Sequence, residues 1–261
     1  MKKRLQDSPV SRLRPALVGL LLLSLAACAA TTHKANKQRD AAAYNTQLGV
    51  AYMNQGDLAR AKDKLDRAVS EDPDNADVRS ARAMLFERMH DNAKADDEFR
   101  TALRLAPHDP KVINNYAVYL CQSGRTDEGV KRFLEAAHDA LYSTPEVAYT
   151  NAGVCLHAAR RDDEARADFT QALQLKPNFG EAAYQLADLR FQHNELVPAR
   201  QLIDNFLGNF DATPELLLLG VRVARAQNDR MAAQRYARKL QLDFPDSNQT
   251  RALAALDHNS G

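Results

Sequence analysis

Several kinds of residue and motif are scarce or missing in this chain of 261 residues. Tryptophan is absent, and glycine and proline each occur only ten times, which suits a continuous helical array because both residues weaken helix interiors. No two glycines stand in a G-x-G arrangement, so the dinucleotide fingerprint is missing, and no G-x-x-x-x-G-K-[ST] sequence of a phosphate-binding P-loop is present. The seven histidines form no H-E-x-x-H motif and no close pair.

The acidic residues give no reason to expect catalysis either. They stand among Arg and Lys, as in the run from Arg160 to Glu164, which is typical of a solvated helix face. We therefore predict that the protein is not an enzyme and that it has no catalytic residues, no metal site and no cofactor.

Charge and hydropathy exclude two further classes. The formal net charge of the whole chain is +1, and residues 1–27 contribute +4 of it, which leaves −3 for the rest. That balance is not the basic footprint of a nucleic-acid-binding protein, so we expect no nucleic-acid partner. No apolar run after residue 27 is long enough to span a bilayer.

Three columns of residues recur six times along the chain, at steps of 34, 34, 36, 34 and 33 residues. The first column is small: Gly49, Ala83, Ala117, Gly153, Ala187 and Gly220. The second, twelve residues later, is also small: Ala61, Ala95, Gly129, Ala165, Ala199 and Ala232. The third, four residues further on, is bulky: Leu65, Phe99, Phe133, Phe169, Ile203 and Tyr236. This is the period of the tetratricopeptide repeat (TPR), a pair of short helices.

The repeat predicts an all-α fold, because each helix pair can bury its apolar face only by stacking on its neighbours. We expect a right-handed α-α superhelix of six TPR units followed by a C-terminal capping helix. Units five and six are degenerate, since Phe206 and Lys239 replace a small residue and Gly208 should loosen the connection. The predicted array covers 42–258, with units at about 42–75, 76–109, 110–145, 146–179, 180–212 and 213–246 and the cap at 247–258.

The first 27 residues have the pattern of a secretory signal. Five basic residues precede the apolar run from Ala16 to Leu25, which is too short to span a membrane in the mature protein. The ending Leu-Ala-Ala-Cys28 resembles a bacterial lipobox, in which the cysteine becomes the lipidated N-terminus; the alternative is an ordinary signal peptide that happens to contain a cysteine.

Lipidation of Cys28 would place the protein on a membrane. Diacylglycerol on the thiol and an amide-linked acyl chain such as palmitate provide several tails, enough for lasting attachment. Residue 29 is Ala rather than the Asp that suggests inner-membrane retention, so we expect the periplasmic face of the outer membrane. Residues 28–41 are then a lipidated N-terminus and polar tether.

Two cysteines remain, Cys121 and Cys155, on the first helices of adjacent units. A disulfide is permitted in the periplasm but needs Cα atoms within about 7 Å, whereas neighbouring helix axes usually lie about 8–10 Å apart. The sequence therefore leaves two alternatives, a bridge or two buried thiols.

A TPR array offers a groove lined by the first helix of each unit, suited to an amphipathic peptide or helix. The Lys-Asn clamp of chaperone-binding TPR proteins is missing, because Thr46 and Val50 stand at the corresponding sites of unit one. In units one to three we predict that the groove includes Val50, Met53, Asn54, Ser80, Met84, Glu87, Arg88, Lys111, Asn114, Val118 and Gln122. Later units would add Val154, His157, Tyr184, Asp188, Phe191 and Leu217.

Five stretches carry a more specific resemblance: INNYAVYLCQSGR (113–125), DALYSTPEVAYTNAGVCL (139–156), VPARQLID (197–204), LLLLGVRVARAQND (216–229) and KLQLDFPDS (239–247). They resemble the PilF/PilW family, TPR lipoproteins of type IV pilus biogenesis that are also called pilotins. One departure is Arg190, which stands where an apolar residue is usual.

This resemblance implies an outer-membrane lipoprotein that binds the pilus secretin and promotes its localisation and multimerisation. We expect it to be a monomer outside that complex. The alternative is another TPR lipoprotein adaptor, for example in outer-membrane β-barrel assembly or another envelope complex, which would share the anchor and the groove but not these stretches.

Overall fold

A computed structural model describes residues 36–140 and 142–258. These residues contain thirteen helices and no strand, and the predicted all-α class is confirmed. The predicted signal sequence and Cys28 lie outside the described residues. The helices are α1 (36–54), α2 (Leu58–Glu71), α3 (Ala76–Arg88), α4 (Asn92–Leu105), α5 (Pro110–Gln122), α6 (Thr126–Ala137), α7 (Pro145–Ala158), α8 (Asp162–Leu175), α9 (Gly180–Gln192), α10 (Leu196–Asn209), α11 (Pro214–Ala226), α12 (Arg230–Asp243) and α13 (Asn248–His258).

The helix bounds correct three expectations. Helix α1 begins at residue 36, so the last six residues of the predicted tether are helical. Pro145 begins α7 instead of ending unit three, because proline lacks the N–H that the first turn of a helix leaves unpaired. Gly208 lies inside α10, which continues to Asn209, and so does not loosen the connection.

The two helices of each pair are joined by the same turn. Each turn contains one residue with a positive φ, between +58° and +80°: Gly56, His90, Gly124, Arg160, Asn194 and Asn228. The N–H of the next residue donates to the carbonyl five positions earlier, as Asp57 does to Tyr52 at 2.9 Å and Arg161 to Leu156 at 2.9 Å. This is the Schellman ending, which pairs carbonyl groups that the end of the helix would leave unsatisfied.

Helices α1–α4 belong to a first compact unit, which the chain leaves after Leu105. The small residues of the repeat let its helices approach closely, since a Cβ built on Gly49 would lie 2.6 Å from Cγ of Leu65. Leu65 and Phe99 of the bulky column are 0% and 1% exposed. Glu98 is also buried, and it forms ion pairs with Arg79 at 3.3 Å and with Arg82.

Helices α5–α13 belong to a second unit, from Ala106 onwards. The repeat columns recur in its core, where a Cβ on Gly153 would lie 2.5 Å from the ring of Phe169. The degenerate position Phe206 is 4% exposed and packs in the hydrophobic cluster around α11. Helix α13 closes that cluster with Leu253, which is 0% exposed. No helix in the described parts of the chain has the length and apolarity needed to cross a bilayer.

Candidate binding surface on the first helices

The first unit provides one part of the predicted groove, on α1 and α3. Val50 and Met84 are half-buried and pack on the hydrophobic cluster that α1, α2 and α3 share. Asn54 and Arg88 are exposed, and Arg88 also donates to the carbonyl oxygen of Met53 at 3.1 Å. This surface therefore combines aliphatic, thioether, amide and guanidinium groups within the first unit.

Glu87 adds a carboxyl group to the same helix. Burial raises its pKa, and the positive charge of Arg88 partly opposes the shift. A half-buried carboxyl group with a raised pKa is costly to desolvate as an anion, so a basic or hydrogen-bonding group of a ligand would be favoured beside it.

Three residues predicted to line the groove are buried. Met53 and Ser80 are 3% and 2% exposed, and Leu217 is 0% exposed. Met53 belongs to the cluster of the first two helix pairs, and Leu217 belongs to the cluster around α11. Neighbouring residues of the predicted groove are half-buried or exposed, but these side chains point into packed contacts. These side chains are covered within the protein, and their contact with a ligand stays a prediction.

The second unit has a candidate surface of its own, which begins with a pair of asparagines. The side-chain amide of Asn151 on α7 donates to Oδ1 of Asn114 on α5 at 2.8 Å, and both residues are half-buried. Lys111 and Gln122 are exposed on α5. The sequence columns pointed to Asn114 but missed Asn151. The residue aligned with Asn114 across the 36-residue step is Thr150, which is 2% exposed.

A disulfide between Cys121 and Cys155 joins α5 and α7 further along the same two helices. The Cα atoms are 5.6 Å apart, which is closer than the usual spacing of helix axes. Cys155 is buried, whereas its neighbour Val154 is 40% exposed and Val118 is half-buried. The bond thus fixes two helices beside an accessible apolar surface.

Aromatic and charged residues continue this surface on α9 and α11. Tyr184 and Phe191 are half-buried, and the guanidinium of Arg222 lies 5.0 Å from the centre of the Phe191 ring. Arg222 is also 3.7 Å from Asp188. Burial raises the pKa of Tyr184, and Asp188 raises it further. The columns predicted both aromatic residues but not Arg222, which lies at a different repeat position.

His157, the remaining predicted residue, is engaged within the protein. Its Nδ1 lies 2.6 Å from Oδ1 of Asp162, and Nε2 of His193 lies 2.7 Å from the other oxygen of that carboxylate. These hydrogen bonds lower the pKa of Asp162. The three residues join α7, α8 and the end of α9, so we assign His157 a structural role.

Arg190 is accommodated by a main-chain hydrogen bond and lies near the carboxylate of Glu195. Nη1 of Arg190 donates to the carbonyl oxygen of Pro198 at 3.2 Å, but its buried Nε has no hydrogen-bond partner among the described residues. Burial lowers the pKa of Arg190, as does the nearby charge of Arg166, and the carboxylate of Glu195 partly opposes this shift.

The described residues contain no group of three His, Cys, Asp or Glu side chains that could hold a metal ion. The surfaces on the first helices instead bring together amides, aromatic rings, aliphatic groups and a few charges. Such groups recognise polypeptides, because they offer both apolar contact and hydrogen bonds to a main chain.

Comparison with known proteins identifies helix pairs of this chain as tetratricopeptide repeats. The tetratricopeptide repeat family matches residues 46–110 and 117–178. The chain is 35% identical over 240 residues to the type IV pilus assembly protein PilF of Pseudomonas aeruginosa. This alignment covers 90% of this chain and 95% of PilF. The chain belongs to the PilF/PilW family.

Solved structures of the PilF/PilW family support the assignment. A structure of Pseudomonas aeruginosa PilF aligns with a TM-score of 0.61 and 32% identity, covering 84% of this chain and 99% of PilF. PilW, described as a widely conserved type IV pilus biogenesis factor, aligns with a TM-score of 0.61 and 28% identity, covering 82% of this chain and 98% of PilW. The predicted family resemblance is confirmed, and these relatives are type IV pilus factors.

Proposed function

We propose that this protein is a non-enzymatic pilotin, which is anchored through Cys28 to the periplasmic face of the outer membrane and binds the type IV pilus secretin. The supporting observation is the identity with PilF over 95% of that protein's length. A TPR protein with an unrelated task would share the general period but not a match over the whole array.

The binding surfaces support this proposal in chemical terms. Within the second unit, the Asn114–Asn151 pair, Val154, Tyr184 and Phe191 provide the mixture of groups that a secretin segment could contact. The disulfide supports an exported location, because such bonds persist in oxidising compartments and are rare in the cytosol.

The lipid anchor would allow a modest affinity of the protein for the secretin to suffice for binding in the membrane. Two proteins confined to one membrane meet at a raised effective concentration, so the binding surface need not hold the secretin tightly in solution. In this scheme the protein delivers the secretin to the outer membrane and keeps its subunits close while they multimerise.

Deletion and complementation in the native host test the proposal. Loss of the protein should reduce secretin multimers in the outer membrane, surface pili and twitching motility, and the wild-type gene should restore all three. Cys28→Ala should leave the fold intact but release the protein from membranes. Unchanged secretin multimers in the deletion strain would reject the pilotin role, and an outer-membrane location of Cys28→Ala would reject the lipid anchor.

A further inference from the structure

The C-terminal part of the chain has the opposite charge from residues 28–213. Residues 214–261 contain seven Lys or Arg against five Asp or Glu, whereas residues 28–213 contain 23 against 28. The net charge of residues 214–261 is thus +2, beside −5 for residues 28–213. Helix α12 contributes four of these basic residues within its first ten positions.

One face of α12 combines this charge with exposed apolar side chains. Met231 is 78% exposed and Leu242 is 72% exposed. They are eleven residues apart, so they lie on one side of the helix at a separation of about 17 Å. Arg235 and Arg238 fall on the same side between them, and Lys239 stands beside this stripe.

The carboxylates near the stripe do not cancel its charge. Arg235 lies 3.2 Å from Asp204 of α10, and Lys239 lies 2.7 Å from Asp243. Asp229 is the N-cap of α12, and its side chain accepts a hydrogen bond from the N–H of Ala232 at 3.0 Å. Surface ion pairs of this kind are weak and exchange readily, so the basic groups remain available to a dense anionic partner.

The form of the surface indicates which partner fits. A shallow depression of about 400 Å³ lies along the stripe, and the described side chains that line it all come from α12. A groove that holds a peptide helix needs walls from at least two elements. A single convex helix with basic groups between two exposed apolar side chains instead suits the plane of a membrane interface.

We propose that the outer face of α12 binds an anionic phospholipid leaflet. Arg235, Arg238 and Lys239 contact the phosphate groups, and Met231 and Leu242 enter the boundary between the head groups and the acyl chains. This contact is separate from the anchor at Cys28 and from the proposed secretin surface. It would fix the orientation of the second unit against the membrane, which a lipid on a polar N-terminal segment does not do.

Vesicle binding by the unacylated chain from Ala29 onwards tests this contact without the lipid anchor. That chain retains every described helix, since α1 begins at residue 36. We expect it to sediment with vesicles of phosphatidylcholine containing about one third phosphatidylglycerol, and not with pure phosphatidylcholine, because each basic group near an anionic surface contributes about 1 kcal/mol. Binding should weaken as salt is added.

The triple variant R235A/R238A/K239A should lower the partition coefficient about 100-fold, at about fivefold for each basic side chain. Its control is R67A/R104A/K131A, which removes the same charge from exposed positions on α2, α4 and α6 and should bind almost as well as the wild type. The variant M231S/L242S keeps all the charges and should lower binding about tenfold or more. Thermal unfolding monitored by circular dichroism checks that each variant is folded.

A second measurement uses the full-length lipidated protein in its own envelope. A photo-crosslinking phenylalanine derivative at position 231 or 242 should capture phospholipid, whereas the same group at Val197, which is 59% exposed on α10, should not. Failure of the wild type to bind anionic vesicles, or an equal loss in both triple variants, would overturn the proposal. Capture of protein but no lipid at position 231 would also overturn it and assign the face to an acidic protein partner.

Discussion

Gly129 lies directly against the sulfur of Cys121. A Cβ built on Gly129 would overlap this Sγ and would lie 2.9 Å from the carbonyl oxygen of Ala117. The other five units have alanine at this column, and Gly129 is the single exception. The disulfide that joins α5 and α7 therefore depends on a missing methyl group on α6.

We predict that Gly129→Ala destabilises the protein by about 1–3 kcal/mol, because the added methyl group has no space beside the sulfur and the backbone. Denaturant unfolding of the oxidised protein measures this loss. Gly208→Ala is the matched control, since its Cβ would meet nothing within 4 Å and alanine favours the helix. If Gly129→Ala is as stable as the wild type, α5 and α6 can move apart to admit the methyl group without a loss of folding free energy.

The disulfide itself should contribute strongly to stability. The two cysteines are 34 residues apart, and in the chain-entropy account closing a loop of this size stabilises the folded state by about 4 kcal/mol. We expect Cys121→Ala with Cys155→Ala, or treatment with a reductant, to lower the melting temperature. The double variant should not respond further to reductant, and a wild-type melting temperature that ignores reductant would contradict the prediction.

A substitution at the turn between α7 and α8 should stabilise the protein. Arg160 has a φ of 63°, which disfavours a residue with a Cβ, whereas Gly56 and Gly124 occupy the same place in other turns. Arg160→Gly should raise the free energy of unfolding by about 1 kcal/mol. Gly124→Ala tests the same argument in reverse and should destabilise by a similar amount. A loss of stability in Arg160→Gly would mean that its side chain contributes more than the backbone strain costs.

Asp168 on α8 should make stability depend on pH. Burial raises its pKa to about 6, and the negative charge of Glu164 adds to the shift. The folded protein then holds this proton more tightly than the unfolded chain, whose carboxyl ionises near pH 4. The contribution of Asp168 to stability is therefore greatest below about pH 4 and declines until about pH 6, above which it stays constant.

Asp168→Asn removes that decline. Above pH 6 we expect it to be more stable than the wild type by about 1 kcal/mol, a value reduced for the part of the side chain that water screens. At pH 4 the two proteins should differ little. Denaturant unfolding at several pH values measures the difference, with Asp163→Asn on the exposed side of the same helix as the control. A constant difference at every pH would contradict this account.

The repeat could be predicted from the sequence because it depends on local volume. Small and bulky residues at fixed intervals specify which helix faces meet, and all three columns are buried as expected. The disulfide could not be settled in this way, since a Cα separation of 5.6 Å lies inside the usual distance between helices. The glycine at position 129, where the other units have alanine, was a sign in the sequence that space is needed there. It indicates a disulfide only once the direction of the Cys121 sulfur is known.

The exposure of the predicted groove residues could be predicted less completely than the core. Position counting assumes an ideal helix face and equal units, so it included Met53, which packs inward, and passed over Asn151, which the 36-residue step displaces by one position. Side-chain direction near the edge of a helix face depends on the packing of its neighbours. A period in the sequence does not contain that information.

Met84 provides a test of the surface in the first unit. It is half-buried at the edge of the cluster between α1, α2 and α3. Met84→Glu should weaken secretin capture about tenfold, because a charge replaces apolar contact area, a loss of about 1.4 kcal/mol. Pull-down from solubilised membranes and titration with the purified periplasmic part of the secretin measure this change.

The control for Met84→Glu is Met89→Glu, the same change at the end of α3, where Met89 is 40% exposed. Both variants add one negative charge, so a general electrostatic effect on secretin binding would weaken both equally. If Met84 contacts the secretin, Met84→Glu should weaken secretin binding more than Met89→Glu does. If Met84→Glu captures the secretin as well as the wild type does, the first-unit surface is not part of the site, and the surface around the Asn114–Asn151 pair becomes the region to mutate next.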